Sequence, residues 1–470
     1  MTLHIPFENT YVDLPNRLFS HQKPYPVRAP KLVEFNRPLA SALGITGAED
    51  DLELAQVFSG TTLPEGADPI AQHYAGHQFG NWNPQMGDGR AVLLGESKGY
   101  DIQLKGSGPT PYARRGDGRA WLGPVLREYV VSEAMHALGI PTTRALAAVE
   151  TGEEIMRDRP LPGAVLTRVA SSHIRVGTFQ ALAARQDIEG LQSLMDYACA
   201  RHYPGAETPA AFLKAVIAQQ ANLIAKWMSV GFIHGVMNTD NCAISGETID
   251  YGPCAFMDAF HPGQVFSSID RHGRYAYGNQ PQIIAWNMAQ LATSLLPLEA
   301  NSEAAVEEFT NLVNDMPDLL RRSWREAFGK KLGIAEVAEG DEVLVTQLLS
   351  IMTDQKTDFT NTFRDLTDNP TAPLDVAAHP DFQDWSAHWR DRLALQHAAP
   401  NDIMRKANPF VIPRNHQIEA MISQAVSGDF SLFHQLNDAL ENPYDANPDW
   451  TNLTAPPTAS EIVSQTFCGT

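Results

Sequence analysis

The sequence predicts an α+β protein with a sheet-rich first part and a helix-rich second part, on three observations. Short apolar runs bounded by glycines cluster ahead of residue 178 and read as strands of a small antiparallel sheet. After about Gln180 the apolar residues recur at helical spacing instead. A chain of 470 residues, 43% hydrophobic, is also long enough to bury one large core or two to three ordinary ones. The expected division is a lead-in over 1–70 packed on the body, a sheet-rich unit over 71–178, and a helical unit over 179–470 that includes a long C-terminal extension.

Within the first unit, Ala91 to Leu94 and Ile102 to Leu104 are the clearest strands. Further strands are expected at Val149, Ile155 and Ala164 to Val169. In "GYDIQLKGSG" the alternation puts Ile102 and Leu104 on one face and Gln103 and Lys105 on the other, so Lys105 points where a phosphate could sit. A helix over Ala120 to Leu138 follows, stopped by Gly139 and Pro141, and it offers two acids to hold that lysine, Glu128 and Glu133. They lie roughly 140° apart around the helix axis, so only one can face Lys105. "QMGDGRA" sets Gly87 and Gly89 before Arg90, where backbone amides and a guanidinium can approach an anion, although such glycines also simply make turns. The "GDGR" tetrapeptide recurs with Asp117, Gly118 and Arg119, and two such loops could close on one ligand from two sides. Arg168 and Arg175 add guanidiniums suited to phosphate oxygens. In the second unit, residues 210–231 and 283–298 are the clearest helices.

The segment "IHGVMNTDN", followed by Asp250-Tyr251-Gly252, carries the most specific chemistry. Phosphotransferase catalytic loops of the kinase type read H-R-D-x-x-x-x-N and are followed by D-F-G, with the first Asp accepting a proton and the Asn and second Asp holding magnesium. His234, Asn241 and Asp250 keep that pattern, but Val236 occupies the slot of the proton-accepting Asp. A valine accepts no proton, which leaves either an inactive kinase-like fold or other chemistry built on Asp240.

A net charge of −20 argues against a general nucleic-acid or anionic-membrane surface, so any phosphate binds in a local pocket. No run approaches the ~20 apolar residues that cross a bilayer, and no secretory signal is visible, so a cytoplasmic protein is expected. Cys199, Cys242, Cys254 and Cys468 are too few and scattered for a disulfide framework. Cys242 and Cys254 read as packing residues, and Cys468, near the terminus, as an accessible thiol. His73 and His77 have the spacing of a zinc helix but lack the glutamate of H-E-x-x-H.

The segments "GHQFGNWNPQMGDGRA", "LKGSGPTPYARRGDGRA", "REYVVSEAMHALGIPTTRAL", "GFIHGVMNTDN", "IDYGPCAFMD", "FSSIDRHGRYAYGNQP", "NPFVIPRNHQIE" and "FCGT" occur in this order from about residue 72 to the end. Together they resemble the selenoprotein O (SelO, also YdiU) family. The resemblance implies a two-lobed, protein-kinase-like fold that transfers AMP from ATP to hydroxyl side chains of proteins, with ATP bound in reverse so that its α-phosphate meets the acceptor. It also implies UTP as a donor in some bacterial members, and Mg²⁺ or Mn²⁺ as the metal. Carried over by position, it makes Gly87, Gly89, Arg90, Lys105, Asp117, Gly118, Arg168 and Arg175 nucleotide-binding, Glu128 the partner of Lys105, Asp240 the proton acceptor, and Asn241 and Asp250 the metal ligands. Cys468 takes the family's selenocysteine position. A kinase-type phosphotransferase and a non-catalytic nucleotide-binding scaffold are the alternatives.

Overall fold

A computed structural model describes residues 2–368 and 376–467 of the chain. Its first part contains the strands β1 (Phe19–His21) and β2 (Lys31–Phe35), the helices α1 (Arg37–Ala42) and α2 (Asp51–Phe58), the strand β3 (Ile70–Gln72), a small hairpin of β4 (Gly76–Gln78) and β5 (Asn81–Asn83), then β6 (Ala91–Ser97), β7 (Tyr100–Lys105) and β8 (Ala120–Trp121). The helix α3 (Leu122–Ala137) and the long strands β9 (Arg144–Met156) and β10 (Pro160–Ala170) complete it. The main sheet runs β1-β3-β6-β7-β10-β9-β2, with β8 paired to β10, and its pairs are antiparallel.

The expected strands at Ala91 to Leu94 and Ile102 to Leu104 are the central β6 and β7, both somewhat longer. Both edges of the sheet, β1 and β2, come by contrast from the mixed lead-in ahead of the glycine-rich stretch. β1 and β3 are three residues each, too short to display an alternating pattern.

The sheet separates two apolar layers. On one face Ile102, Leu104, Val149, Val165 and Val169 pack against Leu39, Leu54 and Phe58 of α1 and α2. On the other, Leu166 and Ala148 meet Leu122, Leu126, Val130 and Ala134 of α3. α3 ends where Leu138 caps it and Gly139 turns into the left-handed region (φ +73°), as the Gly139/Pro141 signal predicts.

Beyond the sheet the chain is helical: α4 (Val176–Ala184), α5 (Ile188–His202), α6 (Pro209–Ser229), the short strands β11 (Phe232–Ile233) and β12 (Ala255–Phe256), α7 (Gln280–Leu295), α8 (Ser302–Asn314), α9 (Met316–Lys331), α10 (Glu342–Gln355), α11 (Phe359–Asp368), α12 (Phe382–Ala394), α13 (Pro400–Ala407), α14 (Asn415–Val426) and α15 (Ser431–Glu441). α6 matches the helix expected over 210–231, and α7 that expected over 283–298. α9 to α13 enclose a separate core around Phe359, Phe363, Trp385 and Trp389. α14 and α15 return to pack against α3, so α3 is covered by the sheet on one side and by C-terminal helices on the other. That explains why Arg127 and Glu128 are buried on it along with its apolar residues. No helix among the described residues is long and apolar enough to cross a membrane.

Candidate active site

β7 delivers Lys105 to the face opposite Ile102 and Leu104, as its alternation requires. Lys105 Nζ donates to Glu128 Oε2 at 2.6 Å and to Asp250 Oδ1 at 2.8 Å. On the neighbouring strand, Arg168 donates through Nε and Nη2 to Glu128 Oε1 (2.8 and 2.6 Å) and through Nη2 to Asp250 Oδ1 (2.6 Å). Two cations and two carboxylates thus close a buried tetrad from β7, β10, α3 and the loop after residue 249. The choice between the two helix acids is settled here. Glu133 faces away and binds the Arg144 guanidinium at 2.8 and 2.6 Å and the Asn36 amide at 2.8 Å.

Burial opposes the charge on Asp250, but Arg168, Lys105 and Arg175 outweigh it and hold the carboxyl well below the usual carboxylate range. Asp250 also adopts a left-handed backbone (φ +67°), a conformation that costs a non-glycine residue energy and persists only when its surroundings enforce it. Its neighbours supply the enforcement. His234 Nε2 donates to the Ile249 carbonyl at 2.8 Å, while its Nδ1 accepts from the Val236 amide at 3.3 Å. The Tyr251 hydroxyl is hydrogen-bonded to Thr142. His234 therefore acts as a brace, and burial pushes its pKa down, favouring the neutral ring.

Asp240 sits in a different environment. It lies on a short 3-10 turn, Thr239–Asn241, held against the β4–β5 hairpin by Thr239 Oγ1 accepting from His77 N (2.7 Å) and Asn238 Oδ1 accepting from Phe79 N (3.0 Å). One carboxylate oxygen accepts from Gln78 Nε2 at 3.3 Å; the other is buried without a hydrogen-bond partner among the described residues. Burial, only partly offset by its own backbone amide and by Arg175, pushes the carboxyl up to about 6. Val236, in the slot of the kinase base, is 5% exposed and lines the same cleft.

The cleft measures about 840 Å³ and is lined by Gly87, Gly89, Arg90, Lys105, Asp117, Gly118, Arg168, Arg175, Asp240, Asn241 and Asp250, which are the residues expected from sequence apart from Glu128 behind them. Both GDGR tetrapeptides line it, and two of their glycines are required by the geometry. A Cβ on Gly87 would stand 2.4 Å from the Tyr112 ring, at φ +148°, and one on Gly118 would stand 2.1 Å from the Gly108 carbonyl carbon, at φ +67°. Asp117 does not offer its charge to the cleft freely; Arg157 binds it at 2.7 and 3.3 Å. Arg175, buried, stacks 4.4 Å from the centroid of Tyr74 and lies 3.6 Å from Asp88 and 3.9 Å from Asp250.

Sequence reading missed Tyr74, Asp88, Arg114, Arg115 and Arg157, all of which line the cleft. The Arg114-Arg115 pair was visible between the two glycine loops. Asp88 sits inside the first GDGR tetrapeptide and shared its signal, whereas Tyr74 and Arg157 carried none, because only the fold of β3, β9 and their loops brings them here.

The Asn241 side-chain oxygen and the Asp250 carboxylate, both on the cleft, are hard oxygen donors of the kind that suits Mg²⁺ or Mn²⁺. Among the described residues there is no cluster of three or more His, Cys, Asp or Glu side chains suited to a metal. His73 and His77 lie at the end of β3 and in β4 rather than on a helix, and His77 Nδ1 is engaged by Gln180 at 2.9 Å. Cys242 and Cys254 are buried free thiols whose pKa burial pushes up to about 12, so they pack rather than react. Cys468 lies outside the described residues.

Comparison with known proteins fits this arrangement. Residues 1–441 match the family described as protein adenylyltransferase SelO. The chain is 61% identical to the protein nucleotidyltransferase YdiU of Ruegeria sp., 60% identical to that of Ruegeria pomeroyi and 59% identical to that of Roseobacter denitrificans, in each case across the full length of both chains. The chain belongs to the SelO protein adenylyltransferase family.

Proposed function

We propose that this member of the nucleotidyltransferase family transfers AMP from ATP to Ser, Thr or Tyr hydroxyls of target proteins and releases pyrophosphate. The carrying observation is the separation of two carboxylates in one cleft: Asp250 is held ionised among Lys105, Arg168 and Arg175, and Asp240 is buried with an oxygen that has no partner. Asp240 takes the proton of the acceptor hydroxyl, whose oxygen bonds to the α-phosphorus as the bond to the bridging oxygen of pyrophosphate breaks. Negative charge developing on the leaving group meets the cations of the cleft, Arg175 and the arginines of the glycine loops foremost.

Mg²⁺ or Mn²⁺ held by Asn241 and Asp250 supplies neutralisation of phosphate oxygens when bound. UTP, with the same triphosphate, is a second donor in this reading. The sheet with α3 forms the smaller lobe of a kinase-like body and the helical part the larger, with the cleft between them; the protein works in the cytoplasm, where nucleoside triphosphates are held.

Intact-mass measurement after incubation with ATP and Mg²⁺ or Mn²⁺, on the chain alone and mixed with candidate protein acceptors, tests the reading. An AMP-sized addition abolished by both Asp240→Ala and Asp250→Ala is expected. A phosphate-sized addition would point instead to a kinase, which the Lys105–Glu128 pair favours. Bound nucleotide with no addition would point to a scaffold.

A further inference from the structure

Next to the cleft lies a second hollow of about 690 Å³, whose walls include Phe79, Ile269, Arg271, His272, Arg274 and Trp286. Phe79 and Ile269 line both spaces. The partition between them is a hydrogen-bonded strut: Asn238 Oδ1 accepts from Phe79 N at 3.0 Å and from the Tyr275 hydroxyl at 2.6 Å, and the preceding Gln78 donates to Asp240. A chain segment whose hydroxyl reached Asp240 would place its flanking residues, at about 3.3 to 3.6 Å each, over this hollow.

The chemistry of the hollow is unusual for a chain of net charge −20. The Arg274 guanidinium lies 5.0 Å from the Trp286 ring and 5.7 Å from the Tyr275 ring, with its Nε buried and without a hydrogen-bond partner. Arg271 and His272 are exposed. Among the described residues no carboxylate forms an ion pair with Arg271 or Arg274. The one acid in the walls, Asp270, accepts instead from the amides of Arg274 (2.9 Å) and Tyr275 (2.7 Å). Beside these cations Ile269 stands 52% exposed and Trp82, on the adjoining hairpin, 41% exposed. Arginine and tryptophan flanking a concave surface are the side chains that dominate protein recognition.

We infer that this hollow is the docking site for the segment of the protein substrate flanking the acceptor hydroxyl, and that it selects an acidic residue for Arg271 and Arg274 together with an apolar side chain for Ile269 and Trp286. The inference rests on the nucleotidyl-transfer reading and adds the substrate's chemistry to it. Charge complementarity carries the choice of occupant: guanidiniums without carboxylate partners, set in an otherwise acidic protein, favour an acidic segment over a basic one.

The test compares two synthetic peptides of one length, each with a single serine flanked by leucine and by either two glutamates or two lysines. They are incubated with the full chain, ATP and Mg²⁺, and labelling of peptide and of the chain itself is followed by mass spectrometry. The glutamate peptide is expected to show about tenfold higher kcat/KM. Arg271→Glu and Arg274→Ala should each erase that advantage by raising the KM for the peptide, with the KM for ATP unchanged. Self-labelling with equal rates for the two peptides, or with neither peptide modified, overturns the docking site alone, as does a variant effect that appears in the KM for ATP. Absence of nucleotidyl transfer onto any acceptor, the chain included, overturns the function reading and the docking site with it.

Discussion

Asp250 and Asp240 stand ten residues apart and line the same cleft, yet they meet opposite environments. Around Asp250 every charge has a partner: Lys105 and Arg168 bridge it to Glu128, and Arg175 lies behind. Around Asp240 there is burial, one long hydrogen bond from Gln78, and an oxygen with nothing to bind. The first arrangement drives a carboxyl pKa down and the second drives it up, to about 6. Pairs of acids pushed apart in this way mark a division of labour. An acid surrounded by cations is a fixed negative charge that organises its neighbours; an acid that is desolvated and under-bonded has capacity left for a proton.

The contrast is most severely tested by Asp250→Ala. It leaves Lys105 and Arg168 buried with one carboxylate between them, so nucleotidyl transfer should fall by ~10³-fold or more and stability by about 3 kcal/mol in a urea titration. Asp240→Asn should lower transfer by ~10²- to 10⁴-fold while nucleotide affinity, read by calorimetry, stays within about twofold. A comparable loss of nucleotide affinity would mean that the two acids act as one unit, and the contrast would collapse.

A smaller effect separates the two glutamates of α3. Glu128→Gln removes a charge that both Lys105 and Arg168 rely on and should depress transfer and stability together. Glu133→Gln weakens the partly exposed pair with Arg144 and the bonds from Asn36 and the Ala145 amide, costs about 1 to 2 kcal/mol, and leaves transfer unchanged. Equal losses of activity from both would show that α3 merely needs its charges for folding.

The last prediction extends the comparison to a buried cation that, among the described residues, has no carboxylate partner. Lys331, 1% exposed, lies 4.2 Å from the Phe363 ring centroid and 5.3 Å from that of Phe359 in the second core, and burial lowers its pKa from 10.5 to about 7. Between about pH 7 and 10.5 the unfolded chain therefore binds more protons than the folded one, so this lysine makes stability rise with pH across that window. Lys331→Met should flatten the rise and add about 1 to 4 kcal/mol at neutral pH, where the burden of the charge is greatest. Thermal melts of both forms across the window decide it.

Much of the site was legible because it is local. The spacing of His234, Asn241 and Asp250, the alternation that aims Lys105, and the two GDGR loops are properties of short segments, and the structure places Asn241, Asp250, Lys105 and both loops around one cleft with His234 buried behind. The helix boundary at Gly139 was equally readable, since a left-handed glycine terminates a helix whatever lies around it. Tyr74 and Arg157, and the turn of Asp88 inward from its own GDGR loop, were not legible. Each depends on strand pairing across the sheet, as when Asp88 accepts from Gln72 N and Gln103 Nε2, both at 3.1 Å, beneath Arg175. Nor was it readable that the lead-in supplies both sheet edges, because the three-residue β1 and five-residue β2 are defined by their partners β3 and β9.

By itself, then, the sequence determined which acids, cations and glycines are available and the local periods that orient them, for these follow from backbone geometry over a few residues. The tertiary structure alone decided that Glu128 and not Glu133 meets Lys105, that Asp117 is bound by Arg157, and that Asp240 is left with an oxygen lacking a partner. Pairing and desolvation depend on what approaches from distant parts of the chain. They set the charge state of each acid, and with it the chemistry the cleft can perform.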